Sequence, residues 1–329
     1  MDKAFFQPII GHDAIKERLC RVIDEGRLPH ALIFAGPAGL GKTMLAVALA
    51  STLIGRPVFS DLAEREAVPL LADQDDAFYV GPVGAMLKVD QFRQLQSQLV
   101  LQGKIGQPRV AIIDHVETMN TEFANRMLKI LEEPPQGVCF ILITDQPALL
   151  LPTIISRCAM VHVDSVPDEV MLRDLLRLRG GMDKDYEQAI VWGDGIVRAV
   201  LDYLQGAGQE SAKYALDFLQ IMATHACPYA KWLSLSGNLS DTVSLEILRW
   251  AIMFLRDMIV LRSGAKAAYI RLTLYKDEMI NLLPYWTDQG LMTNIAVMET
   301  GLEAMKRHVN TRLVWDYVSL QCIQAKGGD

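Results

Sequence analysis

Along the first half of the chain, short uninterrupted apolar runs alternate with stretches in which apolar positions recur every three or four residues. The runs predict strands buried on both faces, and the periodic stretches predict amphipathic helices. Their alternation predicts a parallel sheet covered by helices. The predicted strands are ALIFA at 31–35, VAII at 110–113, VCFILIT at 138–144 and AMVHV at 159–163. Helices are predicted at 14–24, 43–54, 89–101 and 121–131. Glu132-Glu133-Pro134-Pro135 stops the last of these, because the residue before a proline is pushed out of helical geometry and proline has no N–H to donate.

Beyond Val166-Pro167 the strand-like runs disappear. Gly193-Asp194-Gly195 punctuates the chain before a short helix from Ile196, and from Gly206 onward everything reads as helix. Leu245, Leu248, Ile252, Leu255 and Ile259 fall on one helical face, and neighbouring faces are apolar too, which predicts a helix central to a bundle, with one pressed against a partner as the alternative. The expected organisation is an α/β domain over 1–165, a small helical domain over 166–205 and an all-α domain over 206–329.

Composition supports this picture and narrows the function classes. The chain has 329 residues, enough for more than one core, with 51% hydrophobic and 22% charged residues. A formal net charge of −7 argues against a protein whose main task is gripping DNA phosphates. Contact with nucleic acid is therefore expected through a local patch or through partner subunits. No apolar run is long enough to predict a membrane span, and the first residues lack the apolar core of a signal peptide, so a cytoplasmic protein is expected. Cys20, Cys139, Cys158, Cys227 and Cys322 are scattered without any CxxC, which predicts neither a disulfide framework nor a zinc site. His225 and Cys227 are close neighbours, but two ligands alone do not make a zinc site.

One segment carries specific chemistry. Gly36, Pro37, Ala38, Gly39, Leu40, Gly41, Lys42 and Thr43 match the phosphate-binding pattern GxxxxGK[ST] in full, between a predicted strand and a predicted helix. The glycines let backbone N–H groups turn toward phosphates, and the helix adds its positive N-terminal end. Lys42 is expected on the β- and γ-phosphates and the Thr43 hydroxyl on Mg²⁺, with ATP or ADP as the ligand. A second carboxylate, Asp114, ends the strand at 110–113 and is the expected Mg²⁺ partner. Many P-loop ATPases of the AAA+ type place a glutamate directly after that aspartate to polarise the attacking water. Here the position holds His115, and Glu117 lies two residues on, displaced from in-line water activation. The prediction is a binding site with a weak or absent hydrolytic centre, unless the His115 imidazole acts as the base.

The strings IIGHDAIKERL, LPHALIFAGPAGLGKT, VAIIDHVETMNTEFANRMLKILEEPP and LLLPTIISRC resemble the clamp-loader subunits of bacterial DNA polymerase III, over residues 1 to about 205 by motif and loosely beyond. The resemblance implies an AAA+ P-loop domain with a RecA-like parallel sheet, then a small helical lid, then a helical collar for oligomerisation. Asp114-His115 is similar to the delta-prime type of the family, whereas the gamma or tau motor carries Asp-Glu there. The length, without a long tail, suits the same type. The resemblance further implies that Arg157, in Ser156-Arg157-Cys158, acts as a finger on nucleotide bound by a neighbouring subunit. It implies that Thr144 senses the γ-phosphate, that Arg198 contacts nucleotide from the lid, and that Ile9, Ile10 and Gly11 lie by the adenine. The implied partners are the gamma/tau and delta subunits in a hetero-pentamer, with the sliding clamp and primed DNA engaged indirectly. Relatives usually carry a four-cysteine zinc module after the P-loop helix, but residues 55–79 hold no cysteine, so zinc is not expected. A gamma-like subunit that hydrolyses ATP through His115 or Glu117 is the alternative. A stand-alone P-loop kinase is disfavoured, since it lacks a second cluster of substrate-binding arginines and leaves Arg157 without a purpose.

Overall fold

The structure, a computed structural model, describes residues 3–59, 71–73, 76–84, 86–100, 108–266, 269–307 and 309–326. Parts of the predicted 89–101 helix, of the loop before the 110–113 strand and of the stretch expected to lack a zinc module lie outside the described residues. The chain packs as two units. The first comprises Met1–Tyr186 with Gly193–Ala199, and the second Glu187–Trp192 with Val200–Asp329.

The first unit is built on six strands: β1 Ala31–Ala35, β2 Leu71–Asp73, β3 Ala77–Val80, β4 Arg109–Ile113, β5 Val138–Thr144 and β6 Ala159–His162. Their order across the sheet is β2-β3-β4-β5-β1-β6. All neighbours run parallel except the β2–β3 pair at one edge. Successive side chains point to opposite faces, so each continuous apolar strand feeds two cores. Leu32, Phe34, Ile112, Ile141 and Ile143 pack on one face with α1 (Asp13–Asp24) and α2 (Lys42–Ile54). Ile33, Ala111, Ile113, Phe140 and Leu142 pack on the other with α3 (Val89–Val100) and α4 (Thr121–Glu132). Helix α4 starts where the Asn120 side chain accepts the Phe123 N–H at 2.8 Å, a cap worth about 1 kcal/mol. It presents Phe123, Met127, Ile130 and Leu131 to the sheet and ends just before the proline pair. The strands at 31–35 and 138–144 form as the sequence predicts, whereas β2 and β3 are additions to it.

The chain continues through α5 Pro152–Ile155, α6 Asp168–Arg179, α7 Glu187–Gly193 and α8 Val197–Leu204. The second unit is all helical from there: α9 Gln209–Thr224, α10 Pro228–Ser236, α11 Asp241–Arg262, α12 Lys276–Leu282, α13 Asp288–Lys306 and α14 Thr311–Lys326. Helix α11 is central to it, burying Leu248, Trp250, Ile252, Phe254, Leu255 and Met258 around its circumference. Trp250 stacks on Trp192 with ring centroids 4.8 Å apart and donates its indole N–H to Gly208 O at 2.8 Å. Among the described residues no helix is long and apolar enough to cross a membrane. His225 Nδ1 accepts the Cys227 N–H at 3.0 Å, a local turn contact.

Candidate nucleotide site at the carboxyl ends of the strands

In a parallel sheet the strand carboxyl ends gather loops and helix N-termini on one side, which is where ligands bind. Here Gly36, Asp114 and Thr144 stand at the ends of β1, β4 and β5. Gly36 donates its N–H to Thr144 O at 3.2 Å. A Cβ at Gly36 would lie 2.0 Å from Val163 O, so a side chain is sterically excluded. Gly39 has φ +80°, a Cβ there would meet Ile196 at 2.8 Å, and its carbonyl accepts the Arg198 N–H at 2.9 Å. The start of α8 therefore rests on the loop, with the exposed Arg198 side chain beside it. Pro37, Ala38 and Leu40 complete the turn. Gly41 caps α2 in a left-handed conformation without any side-chain cap, which leaves the helix N-terminus open to an anion.

Lys42 is buried, and its ammonium donates to Pro37 O and to Asp145 Oδ1, both at 2.6 Å. Thr43 Oγ1 donates to Asp114 Oδ2 at 3.2 Å. Asp114 is itself buried and accepts two further bonds: Tyr79 on β3 donates its hydroxyl to the same oxygen at 2.7 Å, and the His115 N–H reaches Oδ1 at 2.9 Å. Burial and the Asp114 carboxylate push the Tyr79 phenol far above its ordinary value. A hydroxyl and a carboxylate converging at the mouth of a phosphate loop form the oxygen donor set that Mg²⁺ takes. The residues present fit that ion.

His115 leaves β4 with φ 53°, an uncommon conformation for a side chain of this size. Its Nδ1 lies 3.1 Å from Glu117 Oε1 and 3.9 Å from Asp145 Oδ2. The hydrogen bond to Glu117 outweighs burial and, with Asp114 and Asp145 adding to it, raises the imidazole to about 9. Burial works against ionisation of Glu117, yet bonding to His115 and the Thr144 hydroxyl holds its carboxyl below the ordinary value. His115, Glu117 and Asp145 bring donor atoms within 4.8 Å of one another. Lys42 and the imidazolium already balance the two carboxylates there. Thr144 is fully buried, and its Oγ1 accepts the Gln146 N–H at 3.1 Å.

The segment before α1 is pinned from three sides. Gly11 donates its N–H to the buried Asp174 on α6 at 2.7 Å. Lys16 donates to Ile9 O, and His12 Nε2 lies 2.8 Å from Leu40 O in the phosphate loop. Ile9 and Ile10 are buried. Arg173 bridges Asp13 at 2.5 Å and Asp174 at 3.1 Å. Arg157 follows α5, and its guanidinium bonds Thr153 O at 2.9 Å and Glu132 at 2.6 Å. Both of those partners lie outside the phosphate loop. Tyr79, Asp145, His12 and Asp174 are site residues that the motif reading does not reach.

A parallel sheet with a phosphate loop after β1, an acid closing β4 and a following helical unit defines a P-loop protein of the AAA+ class. The family model described as DNA polymerase III, delta subunit matches residues 11–167. The delta' subunit of DNA polymerase III from Pseudomonas aeruginosa is 37% identical over 173 residues, which is 46% of this chain and 53% of that protein. The gamma/tau subunit from Mycobacterium bovis is 28% identical across 99% of this chain and 62% of that protein. The chain thus spans between half and two thirds of the length of these relatives. Among solved structures, a gamma subunit-related protein of DNA polymerase III from Thermotoga maritima superposes with a TM-score of 0.50. It is 18% identical and covers 94% of this chain and 99% of its own, so it shares the fold. Over residues 11–167 the chain is thus similar to delta and delta' subunits of DNA polymerase III.

Proposed function

We propose that this chain occupies the delta-prime position of a DNA polymerase III clamp loader, binding nucleotide without turning it over and acting on a neighbour's nucleotide through Arg157. The observation that carries this reading is the exit of β4, where His115 stands beside Asp114 with its Nδ1 engaged by Glu117. A general base must accept a proton at the operating pH. An imidazole raised to about 9 is already protonated at neutral pH. The carboxylate of Glu117 is committed to it.

In this reading the backbone of Gly36, Pro37, Ala38, Gly39 and Gly41 and the Lys42 ammonium hold the phosphates of ATP or ADP. Thr43 and Asp114 hold Mg²⁺, which neutralises phosphate charge when bound. Thr144 faces the γ-phosphate, Arg198 closes from the 166–205 lid, and Ile9 to Gly11 line the base. Residues 206–329 serve as the collar in a cytoplasmic hetero-pentamer with gamma/tau and delta, which loads the sliding clamp onto primed DNA. The half-buried guanidinium of Arg157, once it leaves Glu132, stabilises charge on a neighbour's γ-phosphate.

The test is the ATPase rate of the isolated chain beside that of a reconstituted loader. The isolated chain should bind ADP and turn over ATP negligibly, and Arg157→Ala should depress hydrolysis only in the assembly. The second reading is a gamma/tau-like motor, favoured by the match to the Mycobacterium bovis gamma/tau subunit across 99% of this chain. Turnover by the isolated chain that disappears on His115→Ala would establish it instead.

A further inference from the structure

We propose that Asp145 sets the nucleotide affinity of this site, by holding Lys42 as an internal substitute for phosphate. The inference rests on the nucleotide-binding reading above and deepens it. In the structure the Lys42 ammonium is buried, with one N–H on Pro37 O and another on Asp145 Oδ1, each at 2.6 Å. A buried ammonium needs such partners, and a charge-assisted bond is the strong kind. The same ammonium is the group that a phosphate loop offers to incoming phosphates. Its short, directional bond to Asp145 must therefore be exchanged for one to phosphate when nucleotide enters. Net affinity is the difference between the two contacts. A loop complete in every motif position then binds more weakly than its sequence implies.

The placement of Asp145 suits this role. It directly follows Thr144 at the end of β5, and Gly36 is bonded to the Thr144 carbonyl at 3.2 Å. The carboxylate is thus tied to the same backbone that shapes the loop. His115 Nδ1 lies 3.9 Å from Asp145 Oδ2, so the carboxylate keeps a polar neighbour when Lys42 departs.

The experiment measures ADP and inorganic pyrophosphate binding to the full chain by calorimetry and thermal shift, with Asp145→Asn and Asp145→Ser as independent variants. Losing one charge-assisted bond in the ligand-free state should tighten binding by about tenfold. Each variant should melt lower than the parent without ligand and level with it at saturation, so that the ligand-induced shift grows. Unchanged or weaker binding in both variants overturns the proposal while leaving nucleotide binding intact. An equal loss of melting temperature with and without ligand also overturns it, because that marks a purely structural role. If neither the parent nor either variant binds ADP or pyrophosphate, the nucleotide-binding reading falls together with it.

Discussion

Replacing Asp174 by alanine should loosen the first unit by an amount the geometry bounds. The side chain is 1% exposed and accepts the Gly11 N–H at 2.7 Å. Losing it leaves a buried donor unpaired, at about 1–3 kcal/mol. Arg173 and Arg177, 3.1 and 3.5 Å away, are about half exposed, and each such pair contributes only about 0–1 kcal/mol. Asp174→Ala should therefore cost roughly 2–4 kcal/mol, and Asp174→Asn, which keeps an acceptor oxygen for Gly11, about half of that. The five tryptophans (Trp192, Trp232, Trp250, Trp286 and Trp315) all lie in the second unit, which makes the assay selective. Urea unfolding followed by tryptophan fluorescence tracks that unit, whereas far-ultraviolet circular dichroism tracks both. The substitution should lower the midpoint of the dichroism component belonging to the sheet and leave the fluorescence transition in place. A dichroism curve within about 0.5 kcal/mol of the parent would refute the role given to the Gly11 bond. A fluorescence transition moving equally would refute its confinement to the first unit.

Other consequences can be checked as directly. Tyr79→Phe removes one charge-assisted bond to Asp114 without changing shape and should cost about 1–2 kcal/mol, read by thermal or urea unfolding. Burial holds the His12 imidazole below its ordinary value, with Lys16 adding to this and its backbone bond to Leu40, Asp13 and Asp164 opposing it. The unfolded chain then binds the proton more readily, so this contribution is complete above about pH 6.5 and is lost as pH falls from there through the folded value. His12→Gln should flatten that segment of the stability-against-pH curve. In a reconstituted loader, Arg157→Ala should reduce ATP hydrolysis by at least tenfold while leaving ADP binding by this chain unchanged, because Arg157 bonds only residues outside its own phosphate loop among the contacts described.

Much of the first unit is legible in the sequence, because buried parallel strands are continuous apolar runs that end at glycine or aspartate. Four strands and the helices α1 to α4 follow from that pattern. The strand AFYV at 77–80 is four residues long and is recognisable only once it pairs with β4, so Tyr79 stays hidden. Asp145 and Asp174 are hidden for a related reason. Their partners, Lys42 and Gly11, lie far off in the chain, and no local spacing encodes such a bond. The phosphate loop is legible because its chemistry is local, with glycines, a lysine and a hydroxyl on consecutive residues. The central place of α11 is legible in part, since a helix apolar on several faces belongs either in the middle of a bundle or against a partner, and its packing within the second unit decides for the first.

The histidine at the exit of β4 also limits which substitutions the site tolerates. It is a cation among Asp114, Glu117 and Asp145, with its backbone in a left-handed bend. Replacing it by glutamate would put four carboxylates around one lysine and release Glu117 from its partner. The His115→Glu variant should be worse than its parent both at folding and at holding phosphate. On the proposed reading, neighbouring positions must change before a glutamate there supports hydrolysis, so a site without turnover is guarded by a ratchet that one substitution does not release.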